Sequence, residues 1–170
     1  KKDNSDFVKL IVGGYGENAK NGHASLPVIE ELIQVPLGSS ISIEILNKEE
    51  KVISLSDFGI DDFIFPSQPS ISKSDNAADM PFYFINDYYN FDGFHTNDIV
   101  KTELLGKMRG KQLGRMSISP FEYNPITNEL KIITKLEVKV VFKDIDLEAH
   151  RVNKQKYFSP EFDHLFKSCI

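Results

Sequence analysis

Tryptophan is absent from the 170 residues, methionine occurs three times and cysteine once, at Cys169. One thiol excludes an internal disulfide and any cysteine-based metal cluster. Cys169 also lacks the setting of a catalytic nucleophile, which takes a positioned base. The histidine nearest to it in sequence, His164, lies in a stretch of helical pattern. Long apolar runs are missing too. LIV at 10–12 and VVF at 140–142 fall far short of the roughly 18 residues needed for a membrane-spanning helix. Basic residues are outnumbered, 20 Lys and Arg against 25 Asp and Glu, giving a net charge of -5 and a pI of about 5.4. The positive residues are scattered, and a chain without a basic face is not expected to bind nucleic acid. KKDNSD at 1–6 has no apolar core of a secretory signal.

Compact catalytic patterns are equally scarce. Four histidines, His23, His95, His150 and His164, fall in no HExxH or similar ligand pair, and are expected to be exposed side chains. GGYG at 13–16 is followed by no Gly-Lys-Ser or Gly-Lys-Thr, so it reads as a glycine-permitted bend or bulge and not as a phosphate loop. Asp87, Asp92 and Asp98 in DYYNFDGFHTND lack the ordered oxygen spacing of an EF-hand and read as a solvated or interface loop. Glu122 in SPFEYNP has no partner acid at a recognisable spacing and reads as a solvent-face strand residue. Neither a metal, a cofactor nor an enzymatic activity is expected.

What the chain has is strand periodicity. In ELKIITKLEVKVVF at 129–142, Leu130, Ile132, Leu136, Val138, Val140 and Phe142 share one face, with Lys131, Lys135, Glu137 and Lys139 mostly on the other. NPITNE at 124–129 supplies turn residues, and GRMSISPFEY at 114–123 precedes it, which together predict a hairpin. Further strand-like runs are FVKLIV at 7–12, IEELIQV at 29–35, SSISIEIL at 39–46 and KVISL at 51–55. Pro36, Gly38 and the polar NKEE at 47–50 punctuate them. Several such runs predict an all-β fold, an antiparallel, jelly-roll-like β-sandwich. One short C-terminal helix is expected in YFSPEFDHLFKS at 157–168, with Ser159 as cap and Pro160 at its first position. No repeat or low-complexity tract divides the chain, so residues 1–170 read as one domain.

Residues 66–81, PSQPSISKSDNAADMP, fit none of these elements. Pro66, Pro69 and Pro81 restrict the backbone on both sides of Lys73, and the segment reads as a presented loop. A plain solvated surface loop is the other reading of the same residues.

QPSISKSD at 68–75 resembles the inhibitory loop in the prodomains of gingipain-type cysteine peptidases, and those of lysine specificity most of all. LPVIEELIQVP at 26–36, LLGKMRG at 104–110, SISPFEYNPITNELKI at 117–132 and YFSPEFDHLF at 157–166 resemble further stretches of such prodomains, in the same order. The likeness runs from about Ser25 to about Lys167. It implies an all-β sandwich that carries no catalytic residue, because the cysteine and histidine of such a peptidase lie in a separate downstream domain. It implies a secreted system, passing the periplasm on the way to the cell surface or exterior.

By the same resemblance, Lys73 enters the primary specificity pocket of a cognate lysine-specific peptidase domain and holds it latent. Ser72, Ser74 and Asp75 flank it in the inhibitory loop, and Pro66, Gln68, Pro69 and Pro81 support the loop. Asp75 is either placed against the catalytic pair of the peptidase or a turn residue bonding its own backbone. Assistance in folding the attached peptidase is a second implied role. A rival reading needs no peptidase: a stand-alone β-sandwich binding module for a carbohydrate or cell-surface ligand, with Tyr83, Tyr88, Tyr89 and Phe91 as an aromatic platform.

Overall fold

A computed structural model of the chain describes residues 7–17, 20–72, 80–95, 97–108, 110–160 and 164. Lys73, Ser74 and Asp75 lie outside the described residues, as do 161–163 and 165–168 of the helix expected at 157–168. The described residues are dominated by antiparallel strands, as the periodicity predicts.

The hairpin forms as expected. Strand β8 (Phe121–Asn124) pairs with β9 (Glu129–Lys143), Asn124 opposite Glu129. Asn124 shapes the turn between them, its side-chain oxygen accepting from the amides of Ile126 at 3.0 Å and Thr127 at 3.4 Å. Asn128 closes the turn at φ 52°, a left-handed conformation that asparagine tolerates better than most residues. Along β9 burial alternates from Leu136 to Val140, apolar residues inward and charged ones outward.

Other boundaries differ from the sequence reading. FVKLIV yields only the two-residue β1 (Phe7–Val8), which pairs in parallel with β5 (Phe63–Ile64). GGYG is a bend, with Gly14 at φ 83° and the Tyr15 amide donating to Val12 at 3.1 Å, before the short β2 (Gly16–Glu17) pairs with the start of β3 (Pro27–Val35). NKEE does not interrupt a strand: β4 runs unbroken from Ser40 to Ser54. Its polar residues face solvent and are held from the neighbouring β9, where Lys139 reaches Glu44 and Lys135 reaches Glu49, each at 3.2 Å. GRMSISPFEY is two strands, β7 (Lys111–Ile118) and β8, parted at Ser119 and at Pro120, which has no amide to donate.

Strand β6 (Val100–Met108), which the sequence reading does not contain, lies antiparallel to β7 with a bulge at Gly106, φ 139°. Its burial is too slight to leave an alternating pattern.

Besides the single turn α1 (Asn86–Tyr89), a second unexpected element is the helix α2 (Leu147–Lys156), just before the one predicted. Asp146 caps it, accepting from the Ala149 amide at 2.8 Å, with Glu148 in the first turn and Lys154 and Lys156 in the last. None of its residues is buried, so it has no apolar stripe by which a periodicity reading would find it.

The chain forms two compact units. Unit 1 comprises 1–28, 50–97 and 119–134; unit 2 comprises 29–49, 98–118 and 135–170. Each has its own core. In unit 1, Tyr88, Tyr89, Tyr123, Ile64, Leu55 and Leu130 are buried together, with Phe63, Phe84 and Phe121 against them. In unit 2, Ile33, Val35 and Met116 are buried under Ile41, Ile43, Val140 and Phe142.

Candidate functional site

The proline-fenced segment rises from unit 1, and its two limbs are fixed by main-chain bonding. On the outgoing limb, residues 65–67 run beside 22–25: Ser25 donates to Phe65 at 2.9 Å, Ser67 to His23 at 2.8 Å, and Gly22 to Ser67 at 2.7 Å. Pro66 takes part in an isolated antiparallel bridge with Ala24 and is fully buried. The returning limb joins the same strip, Ile85 donating to Gly22 at 3.2 Å before the chain enters α1. Gly22 has φ 81°, and a β-carbon there would stand 2.7 Å from Ile85 Cγ1, so both backbone conformation and space call for glycine.

Gln68 ties the limbs together. Its Oε1 accepts from the Tyr83 amide at 2.9 Å and its Nε2 donates to the Tyr83 carbonyl at 2.9 Å. The same Nε2 also lies 2.9 Å from the Pro66 carbonyl. The carboxamide has the donor and acceptor pair of a peptide group and acts as one, closing the base of the segment as a ladder rung would. Aromatic packing sets the returning limb against the core. Phe82 lies 5.6 Å from Phe7 and 5.8 Å from Phe65, while Phe84 stacks on Tyr89 at 4.4 Å. The Tyr89 hydroxyl donates to the Ile64 carbonyl at 2.7 Å.

Above this base, Ser72 and Pro81 are exposed and Pro69 is half-buried. Ile71 and Tyr83 are each 44% exposed, and Phe82 40%, so both limbs present apolar surface next to the segment that carries Lys73.

The aromatic-platform reading meets a different outcome. Tyr88 and Tyr89 are 6% and 2% exposed and belong to the core, leaving Tyr83 and Phe91 as the exposed pair. Burial pushes the Tyr88 and Tyr89 hydroxyls well above their ordinary range, and that of Tyr123 up to about 12.

Three of the histidines are also not where the sequence reading puts them, His150 on α2 being half-buried as well. His23 and His95 are half-buried and pack on Tyr88, His95 stacked at 3.8 Å and His23 tilted at 4.4 Å. His95 Nε2 is 2.8 Å from the Tyr88 carbonyl. Sequence spacing gives no sign of the His23 contact, since His23 comes from a separate segment, whereas His95 follows Tyr88 by seven residues. Glu122, expected on the solvent face, forms an ion pair with Lys131 at 2.9 Å whose side chains are 15% and 23% exposed. Lys131 also lies over the Phe94 ring at 4.4 Å. Among the described residues, no group of three or more His, Cys, Asp or Glu side chains is placed to hold a metal ion, and no helix is long and apolar enough to cross a membrane.

The family model described as Propeptide_C25 matches residues 3–158. Among curated relatives, Lys-gingipain of Porphyromonas gingivalis is 30% identical over 164 residues, covering 96% of this chain and 10% of that protein. Gingipain R2 of the same organism is 27% identical over 125 residues, covering 72% of this chain and 16% of that protein. The chain therefore spans only a small part of the length of the relatives it matches. Among solved structures, one concerned with zymogenic latency of gingipain K from P. gingivalis superposes with a TM-score of 0.73 at 32% identity, over 76% of this chain and 71% of that one. A complex of P. gingivalis RgpB pro- and mature domains gives a TM-score of 0.68 at 21% identity, over 92% of this chain and 75% of that one, a likeness of fold.

Proposed function

The chain belongs to the Propeptide_C25 family, and from that premise we propose that it keeps a lysine-specific, gingipain-like cysteine peptidase latent by seating Lys73 in the peptidase's primary specificity pocket. The observation that carries the reading is the closed base: Gln68 locks the outgoing limb to the main chain of Tyr83, and the residues between them include Lys73. A segment leaving the fold from a fixed base loses less freedom on docking than one tethered loosely.

The chemistry of the anchor is simple. A pocket that selects lysine offers a negative or strongly hydrogen-bonding group at its floor, and the Lys73 ammonium meets it as a substrate lysine would. A desolvated, charge-assisted contact of this kind is a hot spot, costing about 2–5 kcal/mol on truncation. Exposed Ile71, Phe82 and Tyr83 supply apolar contact around it. The loop resists cleavage because the carbonyl between Lys73 and Ser74 is held away from attack geometry, where a shift of about 1 Å costs on the order of a hundredfold in rate. Asp75 stands next in line to oppose the reactive thiolate and imidazolium of the peptidase. The secreted setting follows from the same reading, with the periplasm crossed on the way to the cell surface or exterior.

Titrating a lysine-specific gingipain with the chain tests the anchor. Inhibition is expected to weaken by roughly 30-fold or more in Lys73→Ala, the low end of the hot-spot range. An arginine-specific gingipain should be inhibited less by the unmodified chain, because a guanidinium fork and an ammonium do not substitute for each other. Equal inhibition by Lys73→Ala and the unmodified chain would exclude the anchor.

A further inference from the structure

His23 stands at the junction of the two limbs, and its main chain and side chain face different parts of it. Its carbonyl accepts from the Ser67 amide at 2.8 Å on the outgoing limb. Its neighbour Gly22 donates to Ser67 at 2.7 Å and accepts from Ile85 of the returning limb at 3.2 Å. Its imidazole packs on Tyr88 within the same cluster as His95, whose ring centre lies 6.5 Å from its own. The main chain of His23 and Gly22 thus bonds both limbs within one residue of the His23 ring.

The surroundings of that ring oppose a proton. Burial acts first, then the positive charge of Lys20, then His95, and together they lower its basicity below the ordinary value of 6.5. The other charged or titratable groups around the cluster are engaged elsewhere. Tyr88 and Tyr123 are held neutral by burial, Asp92 accepts from Asn124 at 3.3 Å, and Lys131 is paired with Glu122 at 2.9 Å.

We propose that protonation of His23 loosens the base of the inhibitory segment, so that the chain grips its peptidase less tightly in acid than at neutral pH. The proposal rests on the reading of the chain as a latency prodomain, and it assigns that site a regulator: the proton. Sign follows from linkage. The unfolded chain takes up a proton at His23 near pH 6.5 while the folded chain resists it, so the stability given by the neutral ring is complete above that pH and lost as pH falls below it.

The test uses the full chain, its His23→Gln variant and a lysine-specific gingipain at pH 7.5 and 5.5. The ratio of the two inhibition constants, unmodified over variant, cancels the peptidase's own titration. It is expected to rise roughly three- to tenfold on acidification, since one pH unit through the window changes the equilibrium up to about tenfold. In parallel, exchange protection of the Ser67 and Ile85 amides in the unmodified free chain should fall with the titration of the His23 ring, followed by its proton resonances. A ratio that stays flat, or amide protection that does not follow the His23 titration, overturns the proposal while leaving latency intact. Failure of the unmodified chain to inhibit at either pH overturns the latency reading instead, and the amide measurement then still decides whether His23 controls the base.

Discussion

Gln68 spends both ends of its carboxamide on main-chain atoms of Tyr83, which makes it the residue on which the geometry of the site turns. Replacing it with methionine keeps the length of the side chain and removes both bonds to Tyr83 along with the contact to the Pro66 carbonyl. The expected result is a loss of about 1–2 kcal/mol in urea unfolding, the net value of two partly exposed hydrogen bonds, together with weaker inhibition of the peptidase. Unchanged values in both assays would show that the limbs are fixed without it. From the sequence, Gln68 is legible as a support only through the resemblance; its partner is not, because Tyr83 returns from the far side of a segment with no periodicity. His23 and His95 are less legible still. A histidine's surroundings are a property of the folded chain, and nothing in the residues beside either one signals Tyr88.

Among the elements, the β8–β9 hairpin is the one most readable from the chain, because period-two alternation and turn chemistry point to the same place. Asn128 concentrates its stability. Besides its left-handed backbone, its Nδ2 donates to the Ile60 carbonyl at 2.8 Å, its Oδ1 accepts from the buried Tyr123 hydroxyl at 2.8 Å, and its carbonyl accepts from Leu55 at 3.0 Å. Asn128→Ala leaves that hydroxyl unpaired and strains the turn. It should cost about 2–4 kcal/mol in denaturant unfolding, and a cost within ordinary surface scatter would contradict the turn's role. β6, α2 and the continuity of β4 through 47–50 escape the sequence reading for one shared physical reason. Each is largely exposed, so its sequence is free of the burial constraint that writes a hydrophobic period. In β4 the polar NKEE reads as a turn, yet cross-strand lysines make a charged strand as acceptable as an apolar one.

At the scale of the whole molecule, stability should fall on both sides of neutrality. On the acid side, His23, its basicity lowered by burial, Lys20 and His95, contributes stability that is lost as pH falls below 6.5. The alkaline limb belongs to buried tyrosines, of which Tyr123 has its hydroxyl held neutral up to about 12 against an ordinary value of 10.0. An unfolded chain releases that proton first, so unfolding gains from rising pH across the interval and the fold loses stability there. Tyr123→Phe lowers stability at neutral pH by removing a bond to Asn128, but it should flatten the decline between pH 10 and 12. Urea midpoints across that interval measure the slope, and an equally steep decline in the variant would assign the alkaline limb to other groups. The all-β class and the family are plain in the sequence because both depend on features spread along the chain. The two compact units are not, since each is assembled from three separated stretches.

The bond between Gln68 and Tyr83 reads only backbone atoms on the returning side. That bond is indifferent to the side chain at position 83, while Phe82 beside it still ties the returning limb to Phe7 and Phe65. A transplanted stretch of equal length that kept Gln68 and Phe82 would depart and re-enter at the same two points.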